Sequence, residues 1–177
     1  ARVFAIVRML KEQLGVTVVL IEQEVDDILT LADRVFVMRS GKFVLSGTPR
    51  EVFGRVEELR QAGVRVPQIV EFGTLIGAAE TPFTIEEAIS AIAPASAEEA
   101  VSGVTSAVAS VNEAANPAAA PRASRAAQAD PVVEAVDVEF TYPGGARALD
   151  GVNLAVGRGD FVAIVGQNGA GKTTLTR

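Results

Sequence analysis

A short run near the C-terminal end has the most specific spacing in the chain. Gly166-Gln167-Asn168-Gly169-Ala170-Gly171-Lys172-Thr173-Thr174 fills every fixed position of the pattern G-x-x-x-x-G-K-[ST]. Residues of these types in this order bind phosphate. Glycines at 166, 169 and 171 let the backbone turn tightly and leave no side chain between main-chain N–H groups and the anion, while Lys172 supplies a point charge for the outer phosphates. The Thr173 hydroxyl is suited to Mg²⁺. The pattern needs a strand before it and a helix after it. Phe161 to Val165 is a continuous apolar run of the kind a buried parallel strand requires, and the helix is expected from Lys172 onward, with less than two turns of it before Arg177. A glycine-rich turn without a ligand is the alternative, and the match at every fixed position favours a nucleotide.

The rest of the composition limits what chemistry is possible. The chain has no cysteine and no histidine, which excludes thiol nucleophiles, disulfides, imidazole bases and the common zinc sites. Carboxylates, amides, hydroxyls, lysine and a bound metal remain. Lys+Arg 16 against Asp+Glu 22 gives a net charge of −6 with no basic block, so no nucleic-acid partner is expected. The apolar start is interrupted by Arg2, Arg8 and Lys11, and the Ala/Val-rich stretch from Ala100 to Val111 is short and weakly apolar; neither is expected to span a membrane. The sequence opens at Ala1 inside a helical pattern, and it reads as an excerpt of a longer protein.

The elements that must position the loop come from both ends. Val3, Ile6, Val7, Leu10 and Leu14 recur at helical spacing up to Gly15, and Thr17 to Ile21 is a buried-type strand. Val25, Ile28, Leu29 and Ala32 predict a second helix, Arg34 to Met38 a strand, and Ser40-Gly41-Lys42 the turn of a hairpin returning through Phe43 to Leu45. Thr48-Pro49-Arg50-Glu51 is a capping box with proline at the first helical position. Residues 57–93 form a small helical extension, with helices predicted over Ile69 to Ile76 and Ile85 to Ile92, the latter capped at Thr84. Residues 94–131 shift to Ala, Ser, Val and Pro and read as a linker, either disordered or partly a marginal helix behind a Ser96–Glu99 cap. A new domain begins at Val132. Val136, Val138, Phe140 and Tyr142 alternate with polar residues as in a half-buried antiparallel strand, and a second strand lies within Ala148 to Val156.

With these segments in order, the chain resembles the junction of a tandem ATP-binding cassette (ABC) protein, the ATPase subunit of ABC transporters. The resemblance rests on FTYPGG, ALDGVNLAVGRGDFVAIVG and the phosphate loop over Val132 to Arg177, and on TVVLIEQEVDDI with LADRVFVMRSGKFVLSGTPREVF over residues 1–56. VPQIVEFGTLIG with TPFTIEEAI resembles the extension of cobalt, nickel and vitamin importers of the energy-coupling-factor type. The implied fold class is α/β, specifically the P-loop NTPase fold: two incomplete cassettes, the end of one at 1–56 and the start of another at 132–177. The implied ligands are ATP and Mg²⁺, and the implied partners are membrane permease subunits and a facing cassette, at the cytoplasmic face of the membrane.

Carried over by position, Tyr142 matches the aromatic that stacks on adenine, Lys172 the phosphate lysine and Thr173 the Mg²⁺ ligand; Gln167, Asn168 and Ala170 contribute mainly backbone. On the residues alone, a tyrosine at position 142 of an alternating strand is more often a half-buried packing residue. Gln23 stands where the family usually has a histidine that contacts the γ-phosphate. Its amide can bond a phosphate but cannot exchange a proton near neutral pH, so that position is expected to be degenerate. Because a family site spans two cassettes, Gln23 and Lys172 are expected to belong to different sites, neither of which this chain completes. Alternatives are a soluble tandem ABC protein acting on ribosomes or DNA, a kinase or GTPase with the same loop, and a non-catalytic interaction fragment. The weakly charged linker disfavours the first of these, and FTYPGG before the loop disfavours the second.

Overall fold

The computed structural model describes residues 2–26, 28–92 and 131–177. They divide into two units, one built from residues up to Arg65 together with the C-terminal segment, the other beginning at Val66. The first unit contains helix α1 (Arg2–Leu14), strands β1 (Val18–Glu22), β2 (Arg34–Arg39) and β3 (Lys42–Gly47), and short helices α2 (Pro49–Phe53) and α3 (Val56–Gln61). The second unit supplies α4 (Gln68–Leu75) and α5 (Ile85–Ile92). The chain then returns to the first unit with β4 (Pro131–Thr141), β5 (Arg147–Gly157), β6 (Phe161–Val165) and α6 (Lys172–Leu175).

The strand that feeds the phosphate loop lies inside a sheet made from the other end of the sequence. The order is β1-β6-β2-β3. β6 runs parallel to β1, from Val18↔Phe161 to Glu22↔Val165, and parallel to β2, from Arg34↔Val162 to Val37↔Val165. All five β6 residues are buried, as its unbroken apolar run requires of a strand covered on both faces. The two outer segments, expected to belong to separate sites, here share one sheet. The reason is hydrogen-bond demand: β1 and β2 flank a one-strand gap, and β6 satisfies the inward ladder groups of both. Asp33 pins the entry to this strand, its N–H donating to Phe161 O at 2.8 Å and its Oδ2 accepting from Phe161 N at 2.8 Å.

One core serves both ends of the sequence. Phe36 and Met38 of β2, Leu149, Val152, Leu154 and Val156 of β5, Val162 and Ile164 of β6 and Ala170 of the loop form a single buried cluster. The β2–β3 hairpin turns through Ser40 (φ 48°) and Gly41 (φ 79°), the paired left-handed conformations that match strand twist. The capping box at Thr48 forms as expected, with Glu51 N donating to Thr48 Oγ1 at 3.4 Å and Thr48 N donating to Glu51 Oε2 at 2.8 Å.

Three local expectations change. Val25, Ile28 and Leu29 are buried, but in successive turns whose bonds alternate between i−3 and i−4, and not in a regular helix; the chain must be back at Arg34 to start β2. In β4 the alternation breaks at a bulge. Asp137 adopts φ 50°, its N–H bonds Asn153 Oδ1 at 3.0 Å, and the register shifts between Ala135 and Val138. Ala135 and Val138 therefore pack on the core while Val136 is 68% exposed. In α1, Ile6 and Leu14 of the predicted apolar stripe are exposed.

Within the second unit, Thr84 caps α5 by accepting from Glu87 N at 3.2 Å, and α4 covers Gln68–Leu75, one residue earlier than predicted. The expected linker helix behind Ser96 and Glu99, with its valines up to Val111, lies outside the described residues. Among the described residues no helix is long and apolar enough to cross a membrane.

Candidate functional site

The phosphate loop leaves β6 at Gly166 and reaches α6 through two left-handed glycines, Gly169 (φ 81°) and Gly171 (φ 106°). Gly171 is required twice over: its φ disfavours any side chain, and a Cβ there would lie 2.5 Å from Ala148 O. Around Gly169 no atom lies within 4 Å of a notional Cβ, so that side of the loop is open to an approaching anion. The loop is buttressed from outside. Gly41 N donates to Ala170 O at 2.8 Å, and Asp150 N donates to Gly41 O at 3.0 Å, so the hairpin tip is clamped between the loop and β5.

Lys172 is buried, and its Nζ donates to Gly166 O at 2.5 Å and Gln167 O at 2.9 Å. The ammonium is thus folded back over the mouth of its own loop. Burial lowers its pKa below the usual 10.5, and the nearby Glu22 carboxylate partly opposes that shift. Carbonyl oxygens are weaker partners for an ammonium than a phosphate is, so an arriving polyphosphate offers Lys172 a better bond than those it holds.

A cleft of about 650 Å³ opens over the loop, lined by Glu22, Gln23 and Glu24 from the end of β1, Tyr142 and Arg147 from the β4–β5 hairpin, and Asn168 to Thr174. The structure brings Gln23 into the same cleft as Lys172, where its Nε2 donates to Asn168 Oδ1. The expectation of separate sites is corrected on this point, because the β1–β6 pairing sets the end of β1 beside the root of the loop. Tyr142 stands at the other wall, 40% exposed, with its ring edge-on to Phe140 at 4.9 Å and its hydroxyl 3.1 Å from Thr174 Oγ1. Ala170 is buried and Gln167, Asn168 and Thr173 are exposed.

The donor set suits Mg²⁺ only as a nucleotide-bound ion. Among the described residues no group of three or more His, Cys, Asp or Glu side chains is placed to hold a metal ion. Mg²⁺ commonly takes one or two protein ligands and fills the rest of its octahedron from phosphate and water, and the exposed Thr173 hydroxyl in the cleft provides one.

Sequence reasoning missed two features of this site. Glu22 belongs to no motif, but it ends a parallel strand, the edge at which α/β sheets place their ligands. The clamp of Gly41 between Ala170 and Asp150 has no local sequence signal, since Gly41 lies more than a hundred positions from both.

Residues 149–177 match the family model described as ABC transporter. That match begins in β5 and ends with the phosphate loop and α6. The chain is also 33% identical, over 99% of its length, to a protein of Caldanaerobacter subterraneus subsp. tengcongensis provisionally named as an ABC transporter ATP-binding protein. Proteins with the same provisional name from Methanosarcina mazei and Bacillus cereus are each 30% identical over 96% of the chain. Over nearly its whole length the chain is similar to ABC transporter ATP-binding proteins. The chain spans less than a third of the relatives it matches, 29% of the first and 28% of the other two. No solved structure matches it.

Proposed function

We propose that this chain is part of an ABC-type ATP-binding protein and that its phosphate loop binds Mg-ATP, with Lys172 on the outer phosphates, Thr173 on the metal, Thr174 and the backbone of Gly166 to Gly171 around the phosphates, and Tyr142 against adenine. The observation that carries the reading is the buried Lys172 ammonium, bonded to Gly166 O and Gln167 O at the mouth of a loop that is open at Gly169. In the whole protein this site serves ATP hydrolysis that drives a membrane permease from the cytoplasmic side. The proposed cargo class is a metal ion or a vitamin, resting on the resemblance of the 57–93 extension to importers of the energy-coupling-factor type. The tandem arrangement is supported by the relatives, whose similarity runs through both outer segments and the region between them while this chain accounts for under a third of their length.

Hydrolysis needs groups that position and stabilise the transferring phosphoryl, and Gln23 cannot supply a proton-exchanging one. This chain alone is therefore expected to bind nucleotide without turnover. Titration of a fluorescent ATP analogue with Mg²⁺, paired with a phosphate-release assay, tests both statements. Binding that is unchanged in Lys172→Ala refutes the site, and turnover that is lost in Lys172→Ala refutes the incompleteness.

A further inference from the structure

The two walls of the cleft touch through one contact that phosphate binding does not explain. Tyr142 OH lies 3.1 Å from Thr174 Oγ1, and the ring is held on both sides of that bond. Its backbone anchors the hairpin turn, with Tyr142 N donating to Ala146 O at 2.9 Å and Gly144 N and Gly145 N donating to Tyr142 O at 2.7 and 2.9 Å. Phe140 meets the ring edge-on, with the planes at 88°. Thr174 is fixed as firmly, since its N–H donates to Gly171 O at 3.0 Å in the turn that opens α6. Two immobilised hydroxyls at bonding distance cost little further order to keep together.

Resting on the nucleotide site described above, we propose that Tyr142 is a positioning residue for the phosphates through a hydroxyl relay: the Tyr142 phenol donates to Thr174 Oγ1, leaving the threonine proton for a phosphate oxygen of the ligand. A hydroxyl can accept and donate at once, and accepting from a phenol makes it a stronger donor. The ring then does two things on one scaffold. Its face meets a base, and its edge tunes the grip of the loop on the polyphosphate. A side chain that only stacks has no influence on a ligand without a base.

That difference gives the test, with Mg-tripolyphosphate as a ligand that has phosphates and no base. Tyr142→Phe keeps the ring and removes the relay. It is expected to weaken Mg-tripolyphosphate and Mg-ATP alike by about three- to tenfold, the range of one hydrogen bond, leaving the ratio of the two affinities unchanged. Tyr142→Leu should weaken Mg-ATP further than Mg-tripolyphosphate. Thr174→Ser should keep the effect of Tyr142→Phe, and in Thr174→Val the tyrosine substitution should have no further effect on tripolyphosphate. Wild-type tripolyphosphate affinity in Tyr142→Phe, or additive losses in the Thr174→Val pair, overturns the relay. Circular dichroism of each variant separates a lost bond from a lost fold. If Lys172→Ala binds tripolyphosphate as the wild type does, the phosphate site itself falls and takes the relay with it. If Lys172→Ala loses binding and Tyr142→Phe does not, only the relay falls.

Discussion

Removing the Asp33 carboxylate should loosen the sheet at the strand that carries the phosphate loop. Asp33 and Phe161 are joined by a reciprocal pair of bonds, and the side-chain half of it, Phe161 N to Oδ2 at 2.8 Å, is charge-assisted and partly buried. A bond of that kind contributes about 1.5 to 3 kcal/mol. The other carboxylate oxygen pairs with Lys11 Nζ at 2.6 Å, but Asp33 is 47% exposed in this pair, so solvent screening holds its share to a few tenths of a kcal/mol. Asp33→Ala is therefore expected to cost about 2 kcal/mol, and Asp33→Asn, which can still accept from Phe161 N, less than about 1 kcal/mol. At a urea m-value of about 1 to 2 kcal/mol/M, the alanine variant should shift the midpoint down by roughly 1 to 2 M. Equilibrium urea unfolding followed by circular dichroism reads both values. Because Phe161 begins the strand that ends at the loop, polyphosphate affinity should fall with stability in Asp33→Ala. A midpoint within about 0.3 M of wild type, or equal losses in the two variants, would refute the insertion of β6 beside the segment that carries Asp33.

Gly171→Ala is expected to abolish polyphosphate binding and destabilise the chain by about 2 kcal/mol or more, since it combines a left-handed backbone with a Cβ set against Ala148 O; calorimetric titration and urea unfolding check it. The lowered pKa of Lys172 fixes the sign of a pH effect. Between its folded value and the usual 10.5 the unfolded chain holds more protons than the folded one, so stability should rise with pH through that window while polyphosphate affinity falls. Lys172→Met should remove both trends, and Glu22→Gln, which deletes the opposing carboxylate, should extend the window to lower pH; urea midpoints and affinities measured at stepped pH decide it.

Reading residues alone settles the parts of this protein whose physics is local. The phosphate loop was legible because its glycines, lysine and threonines must stand at fixed spacing along one strand-to-helix turn, and the caps at Thr48 and Thr84 and the turn at Ser40-Gly41 because each is closed by neighbours within a few residues. β6 was legible as a buried strand from composition alone. What covers it was not. The partners of Phe161 to Val165 are Val18 to Glu22 and Arg34 to Val37, more than a hundred positions away, and nothing in an apolar run states which edges it will pair with. The same holds for Gln23 meeting Asn168, for Gly41 clamping Ala170 and for Tyr142 reaching Thr174. The bulge at Asp137 was hidden for a related reason: alternation assumes an unbroken pleat, and one left-handed residue bonded to Asn153 on the facing strand exchanged the faces of Val136 and Ala135. Local chemistry specified the groups that can hold a phosphate. Long-range strand pairing, driven by the need to satisfy backbone groups and bury β6 on both faces, decided which side chains surround them.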